Sequence, residues 1–141
     1  MKILIVDDQQ NMRNYLEGLL SGLGYGDIIQ AQDGLDAWSK IEYSLSSNVP
    51  IGLIISDFMM PNMNGHELLK KVRSCALIYE NQYKNLFIKK IPFIIATAEG
   101  DMKSIINIIE SGVSSYIVKP FDKNMLKEQI DIALTSKLNE D

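Results

Sequence analysis

Asp57 is the residue best placed for chemistry. It stands in the run Ser56-Asp57-Phe58-Met59-Met60-Pro61-Asn62-Met63-Asn64-Gly65 directly after an apolar stretch, while Asp7-Asp8 follows a second apolar stretch and Lys119-Pro120 a third. In an open parallel sheet the ligand crevice lies outside the carboxyl ends of the strands, so three acids and a base at three strand ends are candidates for reaction rather than packing. Carboxylates held close together repel one another unless a cation neutralises them. A hard divalent ion is therefore implied. Magnesium fits best, because it accepts one or two carboxylates, keeps several waters and leaves positions for phosphate oxygens. Lys119 would bring a point charge to one phosphate oxygen, and the Thr97 hydroxyl, at the end of a further apolar run, can donate to another. Asp57, with strand before it and turn after it, has the space to accept phosphorus and form an acyl phosphate.

The elements that must hold these groups are legible in the hydrophobic pattern. Ile3 to Val6, Ile51 to Ile55, Phe93 to Ala96 and Tyr116 to Val118 are near-continuous apolar runs, as expected for strands covered on both faces, and Ile28-Ile29 supplies a fifth. Between them lie stretches with helical spacing, such as Met12, Tyr15, Leu16, Leu19 and Leu20, and later Ile105, Ile108 and Ile109, each set predicted to line one helix face. Strand and helix alternate five times, which predicts an α/β fold with one parallel sheet and right-handed crossovers. Gly22 and Gly24 end the first helix, Gly34 and Gly65 open the second and third, and Gly112 closes the fourth. Asp101 and Asp122 are expected to be the N-caps of helices four and five.

Composition narrows the function further. At 141 residues, 46% hydrophobic and 23% charged, the chain fits a single globular domain spanning 1–141, with no output domain after it. Cys75 and His66 are each alone, so neither a disulfide nor a zinc or Cys-His site has a cast, and a reducing compartment is expected. A formal charge of −4 opposes binding to nucleic acid. The four apolar residues before Asp7 are too few for a signal peptide or a membrane span, so a cytoplasmic protein is expected. Trp38, the methionines and His66 read as packing or surface residues, and Lys70, Lys71, Lys89 and Lys90 as solvated charges.

Taken together, Asp7-Asp8-Gln9-Gln10-Asn11-Met12-Arg13, Ser56 through Gly65, Ala96-Thr97-Ala98-Glu99 and Gly112 through Phe121 resemble the receiver domains of two-component response regulators, most closely the stand-alone chemotaxis receivers. Any one of these acids or Lys119 would pass alone as a turn, cap or surface residue; the set does not. The likeness spans nearly the whole chain. It implies a doubly wound, flavodoxin-like sheet of order 2-1-3-4-5 flanked by five helices, an order that comes with the resemblance and not from the spacing. It further implies that Asp57 takes a phosphoryl group from a histidine kinase, with Asp8, Asp57 and the backbone carbonyl of Met59 holding Mg2+ and Asp7 orienting metal-bound water. Thr97 and Lys119 would grip the phosphoryl oxygens, and Pro120 would follow a cis peptide bond. Thr97 and Tyr116 would form a switch, Met59 and Glu99 would tune phosphoryl lifetime, and the output surface would be roughly 103–110, 115–119 and 123–134.

The partners that follow are the kinase, a protein target such as the flagellar motor switch, and a phosphatase, with the chain itself a monomer. A phosphorelay carrier or a regulator of another enzyme is the alternative in the same family. An Asp-nucleophile phosphatase would need a second acid two residues beyond the nucleophile, where Met59 stands. A flavin module would need an anion-binding loop where Asp7-Asp8 would repel one. The connection from about 74 to 91 is some ten residues longer than connections of about 2–6 residues require, and its apolar content predicts that helix three continues into it, with Tyr79, Tyr83, Leu86 and Phe87 packed.

Overall fold

The computed structural model of the chain describes residues 1–47, 49–74 and 90–138. Five parallel strands form one sheet in the order β2-β1-β3-β4-β5, with β1 Ile3–Val6, β2 Ile28–Ala31, β3 Leu53–Asp57, β4 Phe93–Ala98 and β5 Ser115–Lys119. Five α-helices connect them among the described residues: α1 Gln10–Gly22, α2 Gly34–Ser46, α3 Gly65–Ser74, α4 Ile105–Glu110 and α5 Lys123–Leu138. The expected fold class, strand order and helix number are therefore those observed. The order reverses between β1 and β3, which puts the ligand crevice at their carboxyl ends.

Both faces of the central strands β1, β3 and β4 are covered, which is why these read as near-continuous apolar runs. Leu4, Val6, Ile54, Phe93 and Ile95 pack with Ala37 and Ile41 of α2, Leu68 and Val72 of α3, and Ile108 of α4. Ile3, Ile5, Leu53, Ile55, Ile94 and Ile117 point the other way, onto Leu16 and Leu20 of α1 and Leu126, Ile130 and Ala133 of α5. Tyr15, expected on the buried face of α1, is largely exposed; its hydroxyl instead donates to the carbonyl of Phe121 at 2.6 Å.

Three local expectations need correction. β3 begins at Leu53 rather than Ile51, and Asp57 is its last residue rather than the first beyond it. Gly52 N–H donates to Lys2 O, upstream of the paired stretch. Asp101 is not the N-cap of α4: it lies inside a 3-10 turn, Glu99–Ser104, and Ser104 holds the cap position. Asp122 does cap α5, accepting from Met125 N–H at 2.9 Å. Ile109 is 53% exposed rather than on the buried face with Ile108, because a six-residue helix buries little more than one residue per turn. The expected extension of α3 and the packing of Tyr79, Tyr83, Leu86 and Phe87 lie outside the described residues, as do Cys75 and Lys89. No helix among the described residues is long and apolar enough to cross a membrane.

Candidate functional site

Strand register sets the site. Val6 of β1 lies opposite Ser56 of β3, so the next residues, Asp7 and Asp57, meet at the carboxyl end of the sheet. Asp57 pairs in turn with Ala96 of β4, and Ala98 with Lys119 of β5. Lys119 Nζ reaches back across that edge to Asp57 Oδ1 at 2.9 Å and to Asp7 Oδ2 at 3.5 Å. The Lys119-Pro120 peptide is cis, as expected for the turn out of β5.

Oxygens of Asp7, Asp8 and Asp57 all lie within 4.8 Å of one another. An ion with metal–oxygen distances of about 2.1 Å brings its ligand oxygens within about 4.2 Å, so small side-chain adjustments would seat one here. Among the described residues Lys119 is the base that forms ion pairs with these acids, reaching Asp57 and Asp7, so the cluster keeps an excess of negative charge. Hard carboxylate oxygens with an excess of negative charge are the donor set that a small divalent cation requires.

Burial differs sharply among the acids. Asp7 is 2% exposed, Asp57 is partly buried and Asp8 is exposed. Asp7 is tied down on both sides: its Oδ1 accepts from Gln9 N–H at 2.9 Å and its carbonyl accepts from Arg13 Nη1 at 2.8 Å. Burial pushes the Asp57 carboxyl above its ordinary value, opposed by Lys119 and reinforced by the neighbouring charge of Asp7. Burial alone would lower Lys119, but the hydrogen bond and charge of Asp57, with Asp7 behind it, hold it above the usual lysine value. The first shift reflects the cost of an ionised Asp57 in this buried, acidic setting, and the second keeps Lys119 charged, so both favour positive charge beside the carboxylates.

The remaining candidates surround this centre. Thr97 is fully buried on β4, and its hydroxyl donates to the carbonyl of Ala98 at 3.3 Å. Its strand parity is that of Phe93 and Ile95, on the sheet face covered by α2, α3 and α4. Met59 and Glu99 are exposed at the rim. Tyr116 is half-buried and, with Ile109, Val113, Met125 and Ile132, lines a groove of about 580 Å³ between α4, β5 and α5.

The sequence reading missed what holds the loop after Asp57. Gly65 N–H donates to Phe58 O at 2.9 Å, and a Cβ at Gly65 would collide with the Asp57 backbone carbonyl. Asn64 and Glu67 form a reciprocal capping box at the start of α3, with bonds of 2.8 and 3.0 Å, a pattern legible as Asn-x-x-Glu. Asn62, at φ 69°, donates from its amide to Asp33 Oδ2 at 2.9 Å. The residue types give a hint, since Asn tolerates the left-handed region, but the pairing across 29 positions leaves no local signal.

A family model described as the response regulator receiver domain matches residues 3–131. The chain is 40% identical over 134 residues to the chemotaxis protein CheY1 of Helicobacter pylori, an alignment that covers 95% of this chain and 97% of that protein. It is 38% identical to a chemotaxis protein CheY homolog of Campylobacter jejuni over 95% of this chain and 92% of that one. Among solved structures, the chemotaxis response regulator CheY4 of Vibrio cholerae superposes with a TM-score of 0.71 at 29% identity, covering 94% of this chain and 97% of that one.

Proposed function

The chain belongs to the response regulator receiver domain family of two-component signalling, and from that membership and the acid–lysine cluster we propose that Asp57 is its phosphoacceptor. The observation that carries the proposal is Lys119 Nζ at 2.9 Å from Asp57 Oδ1, beside two further carboxylates. In the proposed step an Asp57 oxygen attacks the phosphorus of a kinase phosphohistidine in line. A P–O bond forms as the P–N bond breaks, and the departing imidazole takes up a proton.

Asp7, Asp8, Asp57 and the Met59 carbonyl would hold Mg2+, Asp7 through water. When bound, the ion supplies charge neutralisation for the acids and the phosphoryl oxygens. Lys119 exchanges its bond with ionised Asp57 for one with a phosphoryl oxygen, and so keeps a charged partner throughout. Thr97, now bonded to its neighbour's carbonyl, would turn to a second phosphoryl oxygen, and Tyr116 would move into the space it leaves. Met59 cannot orient water by hydrogen bonding, whereas Glu99 can but also repels it when hydroxide-like; the two flank the approach to the phosphoryl group.

The output is docking of a partner on the α4-β5-α5 face in the cytoplasm, and the chemotaxis relatives favour a flagellar motor target over a phosphorelay acceptor. A histidine kinase carrying labelled phosphate tests the transfer. Label should pass to the chain with Mg2+ and not with EDTA, and a chain that takes none from any cognate or small donor would refute the reading.

A further inference from the structure

We infer that Asp33 and Asn62 form a clamp that positions the Met59 carbonyl for Mg2+, a role that rests on the metal site proposed above. The loop from Phe58 to Asn64 leaves the sheet at Asp57 and returns at Gly65, and its two ends are pinned together by the bond from Gly65 N–H to Phe58 O. Its outer arc faces solvent at Met59, which is 58% exposed, and at Pro61 and Asn62, while Met60 and Met63 pack part-buried against the core. Two contacts to the start of α2 fix that arc. Asn62 donates to Asp33 Oδ2 at 2.9 Å, and Gly34 N–H donates to Met63 O at 3.2 Å.

The clamp is rigid at its anchor. Asp33 is 7% exposed, and its other oxygen, Oδ1, caps α2 by accepting from Asp36 N–H at 2.8 Å. One carboxylate therefore binds a helix end and the metal loop at once. The approach is close: a Cβ at Gly34 would meet Met63 O at 2.6 Å, so glycine at this position is what lets α2 start so near the loop. Asn62 sits at φ 69°, a conformation that a short polar side chain accepts when it gains a hydrogen bond. A carbonyl ligand held this way is preorganised, and Mg2+ demands more of that than a larger cation does. Mg2+ needs near-ideal octahedral geometry, whereas Ca2+ accepts a looser shell.

Two substitutions separate the clamp from its other duties. Asn62→Gly keeps the backbone conformation and removes the amide; Asp33→Ser keeps a side-chain oxygen for the α2 cap and removes the one that Asn62 uses. Titration calorimetry with Mg2+ and with Ca2+, on wild type, each variant and the pair, reads the result. Each single variant should weaken Mg2+ by about tenfold, the low end for loss of a ligand-orienting partner. Ca2+ should weaken by only about twofold, given its tolerance of geometry. The double variant should fall no further than either single one, because both remove the same bond. Mg2+ affinity unchanged in both variants, or equal losses for the two ions with a lowered metal-free Tm, would overturn the clamp and leave the metal site standing. Wild type that binds no Mg2+ would remove the metal site itself.

Discussion

At the scale of single residues, the site is an electrostatic compromise between Asp57 and what surrounds it. Burial holds the folded-state value of Asp57 above its unfolded value, so its stabilising contribution is complete at pH below the unfolded value and is lost as pH rises through the folded one. At neutral pH the metal-free site is therefore under strain, and Asp57→Asn should raise Tm in EDTA while shrinking the further rise that Mg2+ gives wild type. Thermal melts with and without the ion read both effects. Lys119 has the opposite balance of costs. Its folded value also lies above its unfolded one, because its acidic partners outweigh its burial, so its contribution is full below the ordinary lysine value and fades as pH rises through the folded value. Lys119→Met should destabilise the metal-free protein by about 1–2 kcal/mol at pH 7, in line with loss of a hydrogen bond between charged groups that are partly exposed. Urea unfolding should show that deficit narrowing under strongly alkaline conditions.

At the scale of elements, the connections do more than join strands. Gly65 lets α3 start against the Asp57 backbone, so Gly65→Ala should cost about 1–3 kcal/mol through overpacking and displace the acceptor carboxylate, visible as a lowered urea midpoint. His66, next along α3, ties that helix to α4 through Ser111 Oγ at 2.7 Å. Because the Ser111 hydroxyl donates to Asn107 O, His66 Nε2 is the donor. Burial, with Lys70 nearby, holds His66 below its usual value, against an opposing pull from Glu67. Its contribution to stability is thus present above the unfolded value and lost as pH falls through the folded one. His66→Gln should flatten the decline of Tm on acidification below about pH 6.5. What the sequence disclosed follows the same division. Strands buried on both faces announce themselves as apolar runs, and Asp7, Asp8, Asp57 and Lys119 stand beside those runs, so sheet and cluster were both legible. Asp33 with Asn62 and Gly34 with Met63 were not, because they join loops far apart in the chain and depend on tertiary placement. Ile109 was misplaced because a helix of only six residues buries little more than one residue per turn, so Ile108 goes inside and Ile109 does not.

At the scale of the whole molecule, the sheet puts acceptor and output face on connected elements. Lys119 closes the acid cluster at one end of β5, while Tyr116, three residues earlier, opens onto the groove between α4 and α5. Ile106, Ile109, Met125 and Ile132 are large apolar side chains left exposed around that face. Ile109→Asp should change stability by less than about 0.5 kcal/mol, as exposed substitutions do, and leave phosphoryl uptake intact while abolishing capture of a partner that binds the phosphorylated form. The central claim is uptake of phosphoryl at one carboxylate, and intact-mass spectrometry after incubation with acetyl phosphate and Mg2+ tests it most directly. Wild type should gain the mass of a single phosphoryl group, traceable to residue 57 by borohydride reduction, and Asp57→Asn should gain none. An unmodified wild type, or equal labelling of Asp57→Asn, would contradict the account.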